Sequence, residues 1–176
     1  MIHLSYFDDF KKQVYADNNL CEGREGIPHI DPNIVPLLVV INANNDISTT
    51  QSCGGHNPMQ MLKRQPLYMK EFPDEGWDEA HVSFCSPFKL GIWKIADMRL
   101  PIRISIEAID GGWEYVIWWN EPNTLDGQEK LMRYFLNRSS VAPDYTFMEF
   151  VWDVSPDKWW ARPNERIDPR DIKEEA

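Results

Sequence analysis

Basic side chains are scarce in this 176-residue chain: 18 lysines and arginines face 28 aspartates and glutamates, a net charge of -10. A protein that holds duplex or transfer-RNA backbone needs a basic footprint to replace the phosphate counterions, so this deficit argues against nucleic acid as the main ligand. Long apolar runs are missing too. No stretch reaches the ~18 residues that suggest a membrane span. The opening Met1-Ile2-His3-Leu4, followed by Asp8-Asp9, has neither the basic start nor the apolar centre of an export signal. Cysteines number only three, Cys21, Cys53 and Cys85, an odd and widely spaced set that does not read as a disulfide framework. The expectation is a reduced, cytoplasmic protein with no membrane partner.

What is present is enough apolar material, 43% of the residues, for one core without staples. Eight tryptophans are many for this length and suit a thick core or a contact surface. A single α+β domain over 1–163 is expected, with a charged and loose tail over 164–176.

Periodicity supplies the elements. Phe7, Phe10 and Val14 predict a short helix over 5–16, and residues 17–30 read as a loop. Asp31-Pro32 predicts a helix start, with Asp31 as the cap and Ile34, Leu37, Leu38 and Ile41 as the buried stripe. Pro36 either moves that start or kinks the first turns. Strands are expected over 47–53 and 81–85, and a helix over about 87–98, with Ser86 as its cap. Ile102, Ile104, Ile106 and Ala108 then alternate with Arg103, Ser105 and Glu107. Asp110-Gly111-Gly112 predicts a hairpin turn, and Trp113 to Trp119 the returning strand. A helix over about 125–137 turns Leu131, Met132, Phe135 and Leu136 inward, and a fifth strand is expected over 146–153. The result is an α+β fold, a mostly antiparallel sheet of about five strands covered by three or four helices.

The chain is organised around Thr49-Thr50-Gln51-Ser52-Cys53-Gly54-Gly55-His56, which reads as a strand ending in a functional loop. Consecutive glycines take φ > 0 easily and let backbone N–H groups converge on an anion or polar atom. Thr50, Ser52, Cys53, Gly54, Gly55 and His56 are therefore candidate ligand-binding residues. Cys53, His56, His81 and Cys85 are also the ligand set of a structural zinc site. A strand over 81–85 would hold His81 and Cys85 about 13 Å apart, so zinc ranks below a small-molecule ligand. Were that segment helical, the pair would face one way. Cys53 with His56 as its base is a further possibility for nucleophilic chemistry, although no third orienting group is identifiable, and catalytic residues stay unassigned.

The loop resembles the Thr-x-Ser-Cys-x-Gly-Arg loop of the methyltransferase family of tRNA wybutosine synthesis, with His56 where that family has arginine. Val82-Ser83 is similar to the Val-Ser pair that the family carries on a following strand. Together these matches run from Val39 to His56 and again over 81–85. The resemblance implies S-adenosylmethionine as cofactor and methyl transfer to a modified guanosine. It also implies a pocket lined by Ser52, Cys53 and Gly55, with Ser83 alongside and His56 or His81 making polar contacts. Methyl transfer asks little acid–base chemistry of a protein, because orientation accounts for most of the rate. The charge of -10 points instead to a small molecule or nucleotide as the partner.

A second reading is a non-enzymatic module or inhibitor that binds another protein through its acidic, tryptophan-rich surface. Trp118, beside Glu114, is the tryptophan expected to be most exposed, while half of the cluster with Trp113, Trp119, Trp152, Trp159 and Trp160 should be core. His29 and Asp31 read as structural.

Overall fold

The computed structural model describes Asp31, residues 33–55, Leu67, Lys70, residues 79–92, 102–119 and 125–145, Met148 and residues 167–172; all structural statements concern these. The expected helix over 5–16, the loop after it, Cys21, His29, His56, Trp152, Trp159 and Trp160 lie outside the described residues.

The chain order is α1 (Val35–Asn42), β1 (Ser48–Cys53), β2 (Ala80–Ser86), β3 (Ile102–Ile109), β4 (Gly112–Trp119) and α2 (Leu125–Arg138). The strands form one antiparallel sheet in the order β1-β2-β4-β3. The two helices pack on each other and cover one face of it. This is the α+β class that the periodicities predict, with four strands rather than about five. Met148, the one described residue near the middle of the expected fifth strand, has helical backbone and is buried. Phe147, Met148, Val151 and Trp152 satisfy a helical stripe as well as an alternation, and spacing alone does not choose between them.

Helix α1 is apolar all round, and every residue from Val35 to Ile41 is buried, so it is a core helix rather than a surface one. Pro36 lies in its first turn, where the missing N–H has no helical partner to lose. The proline thus sets the start at Val35, and Asp31 is not the cap. At the other end Asn42 clamps the helix to β1: its Oδ1 accepts from the Thr49 N–H at 3.1 Å, and its Nδ2 donates to Thr49 Oγ1 at 2.8 Å. Asn44 Nδ2 donates to the carbonyls of Val40, Ile41 and Phe135, tying the ends of α1 and α2 together. Arg138 closes the same corner with two bonds to Asp46, at 2.8 and 2.5 Å.

Alternate residues of β2 and β4 share the helix-covered face. Ala80, Val82 and Phe84 stand opposite Trp119, Ile117 and Tyr115, all buried under the helices. Phe84 stacks on Tyr115 at 5.2 Å and meets the edge of Phe135 from α2 at 5.6 Å. Gly111 turns the β3–β4 hairpin with φ of 78°. The helix expected over 87–98 does not begin at 87, because residues 87–92 form bends and a turn. Ser86 Oγ accepts the Phe88 N–H and the Tyr115 hydroxyl accepts the Leu90 N–H at 2.7 Å, so both donors are taken by side chains before a helix can claim them. Pro169–Asp171 forms a short 3₁₀ turn within the charged C-terminal stretch, and Pro169 is buried. Among the described residues no helix is long and apolar enough to cross a membrane.

Candidate functional site

The site is set by a bulge. Along a regular strand Thr49, Gln51 and Cys53 would share a face. In β1 the register slips between Thr49 and Gln51, and Thr50 is the extra residue. Thr49 therefore stands opposite Phe84, on the helix-covered face, while Cys53 stands opposite His81 on the other face. Extra residues of this kind re-aim side chains near functional positions.

The consequence is a cross-strand row. Cys53 pairs with His81, His81 with Trp118, and Trp118 with Arg103, so four chemically distinct side chains cross the whole sheet on one face. Opposed side chains in such a row lie about 5 Å apart at Cβ. The Arg103 guanidinium sits over the Trp118 ring, 5.4 Å from its centroid, and pairs with Glu79. Trp118 is half-buried, as is Trp113, while Trp119 is buried.

Asp31 and Asn33 hold the loop end from the helix side. Asp31 Oδ2 accepts the Gly54 N–H at 2.7 Å, and Asn33 Nδ2 donates to the Gly54 carbonyl, also at 2.7 Å. Gly54 must be glycine here: a Cβ would fall inside the Asn33 carboxamide, 2.7 Å from its Cγ. Gly55 follows with φ of 74°. Its N–H points at the Cys53 sulfur, and the Cys53 thiol donates to Asp31. Both glycine amides are thus engaged inside the loop, and neither supplies the anion cradle expected from the Gly-Gly sequence.

Protonation follows from this packing. Burial, together with the charge and hydrogen bond of Asp31, pushes the Cys53 thiol up from 9.0 to about 12, against the opposing pull of the Gly55 N–H. Burial also holds His81 below its ordinary 6.5, outweighing the Glu79 and Asp31 charges that would raise it. At neutral pH the pair is a neutral thiol beside a neutral imidazole. A thiolate nucleophile is not what this arrangement makes.

The remaining candidates are distributed as follows. Ser83 is buried on the same face as His81, one row along, opposite Gln51 and Val116. Ser52 stands opposite Val82 on the helix-covered face, away from Cys53. Thr50 is the bulged residue, and its buried Oγ1 has no hydrogen-bond partner. His56 lies outside the described residues. The 81–85 segment is a strand, which places Cys85 opposite Ser48 and Glu114, four residues along from His81. Among the described residues no group of three or more His, Cys, Asp or Glu side chains is placed to hold a metal ion.

Sequence reasoning missed Asp31, Asn33 and Arg103 as site residues. Asp31 looks like a helix cap when read locally, but the helix starts at Val35 and Asp31 instead holds Gly54, 23 residues on. No family model, curated protein or solved structure matches the chain.

Proposed function

We propose that the chain binds a small cationic or neutral molecule of nucleoside type where β1 meets β2. S-adenosylmethionine is the ligand class and methyl transfer the activity that fit the residues best. The observation that carries this reading is the closed hydrogen-bonding of the loop. Both glycine amides are engaged, leaving Asp31 as the charged group beside the protonated Cys53 and the neutral His81. Such a surface disfavours phosphates and suits the sulfonium and ammonium charges of that ligand, with its carboxylate turned away from Asp31.

The residues fit a sulfonium ligand on that ground. Asp31 would oppose the sulfonium charge, His81 and Cys53 would offer uncharged polar contacts, and Trp118 would supply an aromatic wall. When bound, the cofactor would supply an electrophilic methyl group. The protein's own part is orientation and exclusion of water, which needs no ionising side chain and accords with the suppressed titration of Cys53 and His81.

Isothermal titration with S-adenosylmethionine tests the reading. Binding is expected for the unaltered protein, is expected to fall about tenfold or more in Asp31→Asn, and should survive in Cys53→Ser. Asparagine keeps an acceptor for the Gly54 N–H while removing the charge and one acceptor oxygen. Absence of binding, or binding unchanged by Asp31→Asn, would sink the proposal.

A second reading rests on the free side of β3, which is an edge strand with Ile106 and Ile109 about two-fifths exposed. Exposed apolar side chains on a strand that ends the sheet among the described residues suit addition of a partner's strand. Charge substitution at both positions should abolish partner capture without altering titration with the cofactor.

A further inference from the structure

Strand β3 ends the sheet among the described residues, and its residues are arranged symmetrically about Ser105. The hairpin sets which of its main-chain groups point outward. Ile109 and Gly112 stand opposite each other across the two-residue Asp110-Gly111 turn, so they exchange both of their hydrogen bonds. Alternation from there turns the N–H and C=O groups of Glu107, Ser105 and Arg103 toward β4. Those of Ala108, Ile106, Ile104 and Ile102 face the free side.

Charge on an edge strand ordinarily blocks pairing with another strand. Here the two charges, Arg103 and Glu107, have opposite signs and lie at equal distances on either side of Ser105. Both are on the sheet face away from the helices, where Arg103 stands opposite Trp118 and Glu107 opposite Glu114. Glu107 and Glu114 are therefore like charges directly opposed, an unfavourable pair, and among the described residues neither makes an ion pair. The Arg103 side chain is 69% exposed even with its contacts to Glu79 and Trp118, and a guanidinium has five N–H donors to share.

We propose that β3 pairs antiparallel with β3 of a second copy of this chain, about a two-fold axis through Ser105. The inference rests on β3 accepting a partner's strand, the second reading above, and names that partner; it is independent of what the Cys53 end binds. In this register Ile104 meets Ile106 of the second copy, Ile102 meets Ala108, and Arg103 meets Glu107, each contact occurring twice. The outward main-chain groups fall opposite one another and complete the ladder. Arg103 and Glu107 fall in a pair without main-chain bonds, where side chains approach most closely. The incoming guanidinium thus offsets the repulsion between Glu107 and Glu114. Sliding one strand by two residues keeps the ladder but sets Ser105 against Arg103 or Glu107, and sliding it by four sets like charges together. A slide of one residue sets outward main-chain groups against inward ones. Only one register satisfies both backbone and charge, and it covers Ile106, which is 41% exposed in the single chain.

Sedimentation velocity of the full chain from about 1 to about 300 µM, joined to oxidative crosslinking, tests the pairing. The parent is expected to pass from monomer to dimer as concentration rises. Glu107→Arg sets two guanidinium groups together and should weaken association about tenfold or more. That variant also removes the like-charge pair with Glu114, so the melting temperature of dilute protein should not fall, which separates lost pairing from lost folding. Ser105→Cys should yield a dimer linked through that position, located by peptide mass, because paired Cα atoms there stand about 4.5 Å apart. Glu107→Cys should yield none, since its two copies would stand about 13 Å apart. A parent monomeric throughout, association untouched by Glu107→Arg, or a link through Glu107→Cys in place of Ser105→Cys would overturn the pairing. A monomeric parent that still captures a foreign strand, with capture lost on charge substitution at Ile106 and Ile109, would overturn self-pairing and leave strand addition standing.

Discussion

The two ends of helix α1 treat polar side chains in opposite ways. At its C-terminal end Asn42, Asn44 and Arg138 place their amides and guanidinium on Thr49, on three main-chain carbonyls and on Asp46. At its N-terminal end Asn33 uses only one of its two polar atoms. The first end is built as a joint in which these amides and the guanidinium match one another, with the Ser48 hydroxyl beside them buried and unpaired. The second retains Asn33 Oδ1, packed against Gly54 and without a hydrogen-bond donor. The candidate loop, Cys53-Gly54-Gly55, opens from this second end.

The largest expected effect comes from filling the closest contact at the site end. Gly54→Ala forces a methyl group into the Asn33 carboxamide and should cost about 2–3 kcal/mol by denaturant unfolding. Adding Asn33→Ala should return part of that loss, because the two changes share one space. Full additivity would mean that the clash is relieved elsewhere.

Next comes a matched pair of substitutions. Asn44→Ala at the joint leaves the Phe135 carbonyl without its amide and should cost about 2 kcal/mol. Gln128→Leu, at a carboxamide buried without partners, should cost nothing or stabilise by up to about 1 kcal/mol. Equal losses at both positions would erase the contrast.

A smaller effect is expected from pH. Folding holds the Cys53 proton to about pH 12 against 9.0 when unfolded, so its contribution is intact below 9.0 and is lost as pH rises from 9.0 toward 12. For His81 the neutral form is favoured: its contribution is intact above 6.5 and is lost as pH falls through the lowered folded value. Each slope is bounded by about 1.4 kcal/mol per pH unit, and solvent screening at these part-exposed positions reduces it. Thermal unfolding across pH 5 to 10 should flatten on its alkaline limb in Cys53→Ala and on its acid limb in His81→Gln.

Much of this fold is legible in the residues. The alternation of Ile102 to Ala108, the Asp110-Gly111 turn and the stripe of Leu131, Met132 and Phe135 each state one element without competition, and all three are present. The Cys53 and His81 segments also read as neighbouring strands, and they are paired. What is not legible depends on register and on contacts far apart in sequence. Thr49-Thr50-Gln51-Ser52 reads as an unbroken strand, yet the slip at Thr50 decides which face carries Cys53. Asp31 reads as a cap because aspartate before proline commonly is one, until Pro36 moves the helix start and frees the carboxylate for Gly54. Trp118 beside Glu114 reads as exposed, since nothing local announces that Arg103 will lie over its ring.

The central functional claim is that the loop positions a ligand and does not attack one. Its most direct test is the pH dependence of Cys53 alkylation by iodoacetamide in the native protein, with the modified residue located by peptide mass. The thiol should stay unmodified through pH 9 and react only as pH climbs beyond 10 or when the protein is unfolded. Rapid native alkylation at pH 7 to 8, with an inflection in that range, would show a reactive thiolate and contradict the account.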